Sequence, residues 1–105
     1  MKYLRLKKQS DFQKLFQNGK RAFAPSLMLI FFSSSTPRMG ISIGKKHGKS
    51  VQRNRIKRLI REAFRSVSSQ MQGSHFIVIV PKVCEDYSFH TFQKHLQWII
   101  KKENL

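Results

Sequence analysis

The sequence predicts a single domain of mixed α/β structure (α+β class), with its elements in the order αβββαβα over residues 1–105. Two uninterrupted apolar runs of strand length, at residues 27–32 and 75–80, predict strands that are covered on both faces. Two longer stretches, at residues 51–67 and 88–102, repeat their apolar residues at the spacing of amphipathic helices. A chain of 105 residues with 40% hydrophobic content can bury one modest core, which indicates one domain.

A short first helix is predicted at residues 10–18. Ser10 and Gln13 have the spacing of a capping box, and the helical pattern stops at Asn18 and Gly19. The strand that follows, at residues 20–24, ends at Pro25, because proline donates no hydrogen bond to a neighbouring strand. The apolar stripe of the helix consists of Phe12, Leu15 and Phe16.

The next two strands are expected to form a hairpin. The first, at residues 27–32, is predicted to be central because all of its side chains are apolar. After a polar turn at residues 33–37, apolar and small residues alternate, as in a strand with one packed face. The apolar set is Met39, Ile41 and Ile43, and the small set is Gly40, Ser42 and Gly44. The small set indicates either close packing of a helix or a surface that another molecule approaches closely, and both explanations stay open.

The second helix, at residues 51–67, follows a basic loop at residues 45–50, where Ser50 is the expected N-cap. The strand after it, at residues 75–80, is closed by Pro81 and requires the chain to cross back to the same sheet. Ser88 is expected to cap a last helix that ends near Lys102. The packed arc of the second helix contains Ile56, Leu59, Ile60, Ala63, Phe64 and Val67.

Positive charge is concentrated in residues 45–65. They contain nine of the 21 Lys and Arg residues and one acid, Glu62, in a chain whose formal charge is +16. Arg53, Lys57 and Arg61 follow one another at i, i+4 spacing, where like charges repel by a few tenths of a kcal/mol per pair. A solvated helix face is the usual reason for a charge run, but the excess of one sign points instead to a polyanionic partner such as nucleic acid.

The acidic residues argue against a hydrolytic site in the protein. Metal-dependent cleavage of a phosphodiester needs converging carboxylates, and the five acids of this chain are scattered along it. The single Cys84 and the four histidines lack the spacing of metal ligands, so we predict neither a metal centre nor a catalytic residue. No apolar run approaches the roughly 20 residues of a membrane span, and no signal peptide is recognisable, which predicts a cytoplasmic protein without a membrane partner.

Phe12 and Phe16 lie four residues apart on one side of the first helix. They are either core residues or a platform on which unpaired bases stack. From the helical pattern alone, the core is the favoured interpretation.

The run GKKHGKSVQRNRIKRLIREAFR, at residues 44–65, resembles the signature of the protein component of bacterial ribonuclease P. The similarity extends from RLKKQSDFQKLFQNGK, at residues 5–20, through the strand at 75–81 to the last helix. This resemblance implies a mostly antiparallel sheet with a left-handed βαβ crossover. It also implies that an RNA subunit, using Mg²⁺, hydrolyses the phosphodiester at the 5′ end of the mature tRNA. The protein would bind that RNA and the 5′ leader of precursor tRNA, one protein per catalytic RNA, and would itself be inactive as a nuclease.

The resemblance also implies roles for individual residues. Phe12, Phe16, Met28 and Ile30 would line the leader-binding cleft, which reverses the preference for core packing of the two phenylalanines. Ile30 stands where related proteins present an aromatic ring, so apolar contact replaces stacking there. The residues implied to face the catalytic RNA are Lys45, Lys46, Lys49, Arg53, Asn54, Arg55, Lys57, Arg58, Arg61 and Arg65.

Two other classes of function compete with this interpretation. A structural RNA-binding protein of ribosomal type would carry the same basic helix but would show no preference for leader-bearing tRNA. A metal-independent nuclease that uses His and Lys would cleave RNA without an RNA subunit.

Overall fold

The computed structural model describes residues 3–105 and contains five strands and three helices. The elements are β1 (Leu4–Arg5), α1 (Gln9–Asn18), β2 (Lys20–Phe23), β3 (Leu27–Ser33), β4 (Arg38–Ile41), α2 (Ser50–Ser68), β5 (His75–Pro81) and α3 (Phe89–Glu103). A single 3₁₀ turn, Lys45–His47, precedes α2. The predicted elements are all present, and β1 is additional.

The five strands form one sheet in the order β1-β4-β5-β3-β2. The pairs β2/β3 and β3/β5 are antiparallel, and the pairs β4/β5 and β1/β4 are parallel. The longest ladder joins β3 to β5, from Leu27 opposite Pro81 to Ser33 opposite His75. The predicted crossover is confirmed, because β4 and β5 are neighbouring parallel strands on either side of α2 in the sequence. Its left-handed sense stays a prediction.

The predicted hairpin of β3 and β4 is wrong, because β5 lies between them. β3 and β5 are the two wholly apolar runs, and each is buried most completely when it has a strand on both sides and a helical layer on both faces. They therefore take the centre of the sheet, and β4, with its small residues, lies further out. The hairpin that does form joins β2 to β3, with Phe23 opposite Met28.

β1 was not predicted, because the four basic residues from Lys2 to Lys8 indicate a basic arm and not a strand. Its two residues are exposed and show no strand pattern, and they are held by backbone bonds to β4 and the turn before it. The Leu4 N–H donates to the Pro37 carbonyl at 2.9 Å, and the Leu6 N–H donates to the Met39 carbonyl at 3.0 Å. Lys2, the first residue of the predicted arm, lies outside the described residues.

Helices cover the sheet on both faces. α2 and α3 pack on one face, against β3 side chains such as Leu29 and β5 side chains such as Ile77 and Ile79. α1 alone lies on the other face, where Leu15 covers Ile30 and Val78. A helix of 10 residues is too short to cover five strands, so part of this second face stays open.

The helix N-termini differ from the prediction at two of three caps. α1 begins at Gln9, with Lys8 in the cap position and no side-chain cap hydrogen bond, so the predicted capping box of Ser10 and Gln13 is wrong. Ser88 accepts a hydrogen bond from the Thr91 N–H at 3.2 Å, as expected of an N-cap. Ser50 instead is the first residue of α2, and Lys49 occupies the cap position. There the Gln52 side-chain Oε1 accepts from the Lys49 N–H at 2.8 Å, so the third residue of the helix supplies the partner.

In residues 3–105, none of the helices has both the length and the apolar character that crossing a membrane requires.

Candidate RNA interface

α2 and the loop before it form a cationic ridge, which we define as the ten basic and amide residues implied above to face RNA. The apolar side of α2 is anchored on the sheet and α3 by Ile56, Ile60 and Phe64, together with Ala63 and Val67. Because this side is buried, the remaining side chains of the helix point outward. Eight residues of the ridge are exposed: Lys45, Lys46, Lys49, Asn54, Arg55, Arg58, Arg61 and Arg65.

The other two residues of the ridge, Arg53 and Lys57, are half-buried. The Arg53 Nε atom is shielded from solvent and has no hydrogen-bond partner. A buried guanidinium nitrogen without a partner carries an energetic cost that a bound phosphate or water would remove. None of the ridge side chains forms an ion pair with an acid of residues 3–105, where the one salt bridge joins Lys20 to Glu103 at 2.8 Å. The ridge charges are therefore available to an outside anion.

The open part of the second sheet face forms an apolar cleft beside α1. Strand register places Phe23, Met28 and Val80 in one row across β2, β3 and β5. A parallel row on the same face contains Phe32 and Phe76, whose ring centroids are 5.4 Å apart. α1 lies over the row between them, and the flanking rows stay half-buried or exposed. We call this surface, with the two phenylalanines of α1, the α1 cleft.

The two phenylalanines of α1 differ from core residues in their exposure. Phe16 is 37% exposed and Phe12 is half-buried, whereas Leu15 between them is fully buried. The interpretation as core residues, favoured by the helical pattern, is therefore wrong for Phe16 and holds only in part for Phe12. Met28 is half-buried and accessible from the cleft.

Ile30, by contrast, does not line the cleft. Its side chain is 0% exposed and lies beneath the C-terminal end of α1, in the apolar cluster that contains Leu15. An aliphatic side chain at this position ends under the helix, so it cannot reach an outside ligand. The open residues of the cleft that the sequence did not identify are Phe23, Phe32, Phe76 and Val80. Uninterrupted apolar runs show no alternation, so only the strand register assigns their side chains to a face.

The small residues in and just after β4 have different surroundings. Gly40 is buried beneath Phe12 and Leu6, which supports the explanation by close helix packing. A side chain at Gly44 would meet no atom within 4 Å, so the same explanation does not apply to it. Of the two alternatives, close helix packing is therefore supported for Gly40, and the close approach of another molecule stays a prediction for Gly44.

A groove at the outer edge of β4 joins the cleft to the ridge. It encloses about 430 Å³ and is lined by Phe12 and Gly40 on the cleft side and by Lys57 and Arg61 on the ridge side. Arg5 and Lys7, with the apolar Leu6, Met39 and Ile41, complete its wall. A single extended ligand in this groove can therefore contact both Phe12 of the cleft and the cations of the ridge.

The acidic side chains do not converge. Asp11 is on α1, Glu62 on α2 and Glu103 on α3, and the pair Glu85 and Asp86 lies in the loop between β5 and α3. Among residues 3–105, no group of three or more His, Cys, Asp and Glu side chains is arranged to hold a metal ion. The exposed cations and aromatic rings of this surface are suited to the binding of phosphates and bases.

Comparison with known proteins finds similarity to ribonuclease P proteins. The family model for Ribonuclease P matches residues 1–104. The chain is 35% identical to the ribonuclease P protein component of Clostridioides difficile (strain 630), over 95% of this chain and 91% of that protein. The RNase P protein of Staphylococcus aureus superimposes with a TM-score of 0.82 at 29% identity, covering 97% of this chain and 96% of that one. The RNase P protein from Thermotoga maritima gives the same TM-score at 28% identity, over 94% and 96% of the two chains.

The chain belongs to the ribonuclease P protein family. Membership gives it the role of a protein subunit of ribonuclease P, in tRNA 5′ processing, with the ribonuclease P RNA as its partner. The ridge helix and the α1 cleft lie on opposite faces of the sheet, and the groove at the edge of β4 connects them.

Proposed function

We propose that the cationic ridge binds the catalytic RNA of ribonuclease P and that the α1 cleft binds the 5′ leader of precursor tRNA. The groove at the edge of β4 carries this proposal, because it connects an aromatic surface with Lys57 and Arg61. A single-stranded leader needs stacking surfaces for its bases and cations for its phosphates, with little dependence on sequence. The structured catalytic RNA needs a rigid row of cations, which the exposed side of α2 supplies.

In this proposal, the reaction is performed by the RNA subunit. Mg²⁺ ions held by that RNA would supply an activated water and stabilisation of the leaving oxygen. The protein contributes no catalytic residue, because its five acids are distributed over three helices and a loop. Its contribution is to hold the leader, and thereby the scissile phosphate, in a productive position. The isolated protein is therefore inactive as a nuclease.

Leader binding also gives the holoenzyme a preference for its substrate. Precursor tRNA carries the leader and mature tRNA lacks it, so contacts in the α1 cleft add to the affinity for precursor alone. The product loses these contacts once the leader has been cleaved.

We further propose one protein per catalytic RNA and a cytoplasmic location, where the single exposed thiol of Cys84 stays reduced.

The test is a reconstitution from purified protein, cognate ribonuclease P RNA and precursor tRNA at low Mg²⁺, with each component omitted in turn. We expect cleavage to require the RNA and to be stimulated by the protein, and the protein alone to be inactive. The equilibrium affinities of the holoenzyme for precursor and mature tRNA are measured in parallel, and the precursor should bind more tightly.

Three outcomes would contradict parts of the proposal. Cleavage by RNA-free protein that persists after substitution of Glu85 and Asp86 would reveal a nuclease site in the protein. Equal affinity for precursor and mature tRNA would show that the α1 cleft does not bind the leader, and it would favour a purely structural RNA-binding role. If the rate of precursor cleavage at low Mg²⁺ were unchanged when the protein is omitted, the protein would have no positioning role.

A further inference from the structure

His47, in the loop that opens the cationic ridge, is buried although its neighbours are exposed. It is 6% exposed, between the exposed Lys46 and the half-buried Gly48. Both of its ring nitrogens are engaged. Nδ1 lies 3.1 Å from the Gly44 backbone nitrogen, and Nε2 lies 2.7 Å from the Pro81 carbonyl oxygen, 34 residues away in sequence.

The position of the ring follows from the way in which the β4/β5 ladder ends. The Ser42 N–H donates to the Ile79 carbonyl at 3.0 Å, and a parallel ladder would continue with a bond from residue 81 back to the Ser42 carbonyl. Residue 81 is a proline and has no N–H to donate, so the ladder stops there. The next rung would have joined the Gly44 N–H to the Pro81 carbonyl. The imidazole of His47 stands between these two groups and bonds to each of them.

The two contacts define the tautomer of the ring. Nδ1 also lies 3.3 Å from the Gly44 carbonyl oxygen, but its shorter contact, of 3.1 Å, is with the Gly44 N–H, which can only donate, so Nδ1 accepts there and carries no proton. The Pro81 carbonyl is an acceptor, so Nε2 must carry the proton. Neutral imidazole with its proton on Nε2 satisfies both backbone groups, which would otherwise lack partners at the end of a buried strand.

We infer that His47 is a positioning residue, whose inserted imidazole fixes the basic loop to the end of β5 and so sets where Lys45, Lys46 and Lys49 meet RNA. The last step rests on the proposed function, because it takes these lysines to be RNA contacts. The 3₁₀ turn Lys45–His47 is the segment directly held, and α2 begins three residues after the ring. A short, fixed connection of this kind orders the lysines before RNA arrives, so less conformational entropy is lost on binding.

The test uses three substitutions that separate the two hydrogen bonds. His47→Leu removes both, His47→Asn keeps an acceptor near the Nδ1 position, and His47→Gln keeps a donor near the Nε2 position. His95→Leu is the matched control, because His95 on α3 makes one hydrogen bond, between Nδ1 and Ser26 Oγ at 2.5 Å, and lies outside the ridge. Affinity for the cognate ribonuclease P RNA is measured per folded molecule, over a range of salt concentrations, beside the melting temperature.

We expect His47→Leu to weaken RNA binding about two- to tenfold, the effect of losing a net hydrogen bond that orders the contact. The slope of log K against log salt should fall by about one, as one lysine contact is lost. The Asn and Gln variants should recover part of this affinity. His95→Leu should lower the melting temperature without changing affinity per folded molecule.

Equal RNA affinity for folded His47→Leu and folded wild type would overturn the inference. Arg58→Ala, in the middle of the ridge, distinguishes this failure from a failure of the proposed interface. If Arg58→Ala weakens binding and His47→Leu does not, the positioning role is wrong. If neither has an effect, the proposed interface is wrong as well. Two-bond ¹⁵N–¹H correlation spectra supply an independent readout, because a proton on Nδ1 of His47 would contradict its acceptor role.

Discussion

The ring of Phe12 on α1 lies directly against the backbone of Gly40 on β4. A Cβ atom built on Gly40 would be 2.6 Å from Phe12 Cζ and 2.9 Å from Phe12 Cε1, closer than side-chain carbons approach in folded proteins. The absence of a side chain at position 40 thus allows α1 to settle on the sheet with Phe12 at the boundary of cleft and groove. The position of the cleft depends on this contact.

Substitution of Gly40 by alanine should destabilise the protein by about 1–3 kcal/mol, because the added methyl group forces Phe12 or α1 away from the sheet. Gly44→Ala is the control: its Cβ would meet nothing within 4 Å, and its backbone is extended, with φ −135°. Its effect should stay within about 0.5 kcal/mol. Urea denaturation gives the free energy of unfolding of both variants. Similar losses of stability would show that α1 can be displaced from the sheet at little cost.

Phe16→Ala and Leu15→Ala should have opposite consequences, although the residues are adjacent. Phe16 is 37% exposed, so its truncation should leave most of the stability intact and weaken leader affinity by about 1–3 kcal/mol per lost stack. Leu15 is fully buried, and its truncation should cost about 2–5 kcal/mol of stability. Melting curves are compared with holoenzyme affinities for precursor and mature tRNA. If Phe16→Ala weakened the affinities for precursor and mature tRNA equally, the leader would not contact Phe16.

Arg58→Ala should weaken assembly with the ribonuclease P RNA and lower the salt slope of binding by about one unit, because one phosphate contact is lost. The fold should survive, since Arg58 is exposed and opposite the packed side of α2. Lys94→Ala, which removes an exposed cation of α3 outside the ridge, is the charge-matched control and should change neither quantity. Circular dichroism monitors folding. Equal salt slopes for Arg58→Ala and Lys94→Ala would show that RNA binding depends on the net charge of the protein and not on the ridge.

The stability of the protein should fall as the pH is lowered below about 6.5, the ordinary pKa of histidine. Burial, followed by the neighbouring Lys94 charge, lowers the pKa of His95, and burial lowers the pKa of His75. A lowered pKa means that the unfolded chain takes up protons first, so stability is complete above 6.5 and declines toward the folded-state pKa. Melting temperatures between pH 8 and pH 5 measure the decline. His95→Asn, which keeps an acceptor near the Nδ1 position for Ser26, should reduce the decline, and an unchanged pH profile would contradict the assignment to His95.

Much of this protein could be predicted from local pattern. Helical periodicity identified α2 and its packed arc, because burying one stripe of a helix requires apolar residues at 3.6-residue spacing. The single-sign charge of residues 45–65 indicated a polyanion, since such a row is unfavourable without one. The family signature around Arg53 and Arg55 then supplied the partner. Each of these signals is contained in neighbouring residues of the chain.

The tertiary structure decided what depends on distant residues. β3 pairs with β5 and not with β4, because the strands compete for the most buried positions of the sheet. The outcome of this competition cannot be seen in any single segment of the sequence. Register then assigned Phe23, Met28 and Val80 to the open face and Ile30 to the buried row beneath α1. In the same way, the rung that His47 forms exists only because Pro81, 34 residues later, lies opposite the start of the basic loop and cannot donate a hydrogen bond.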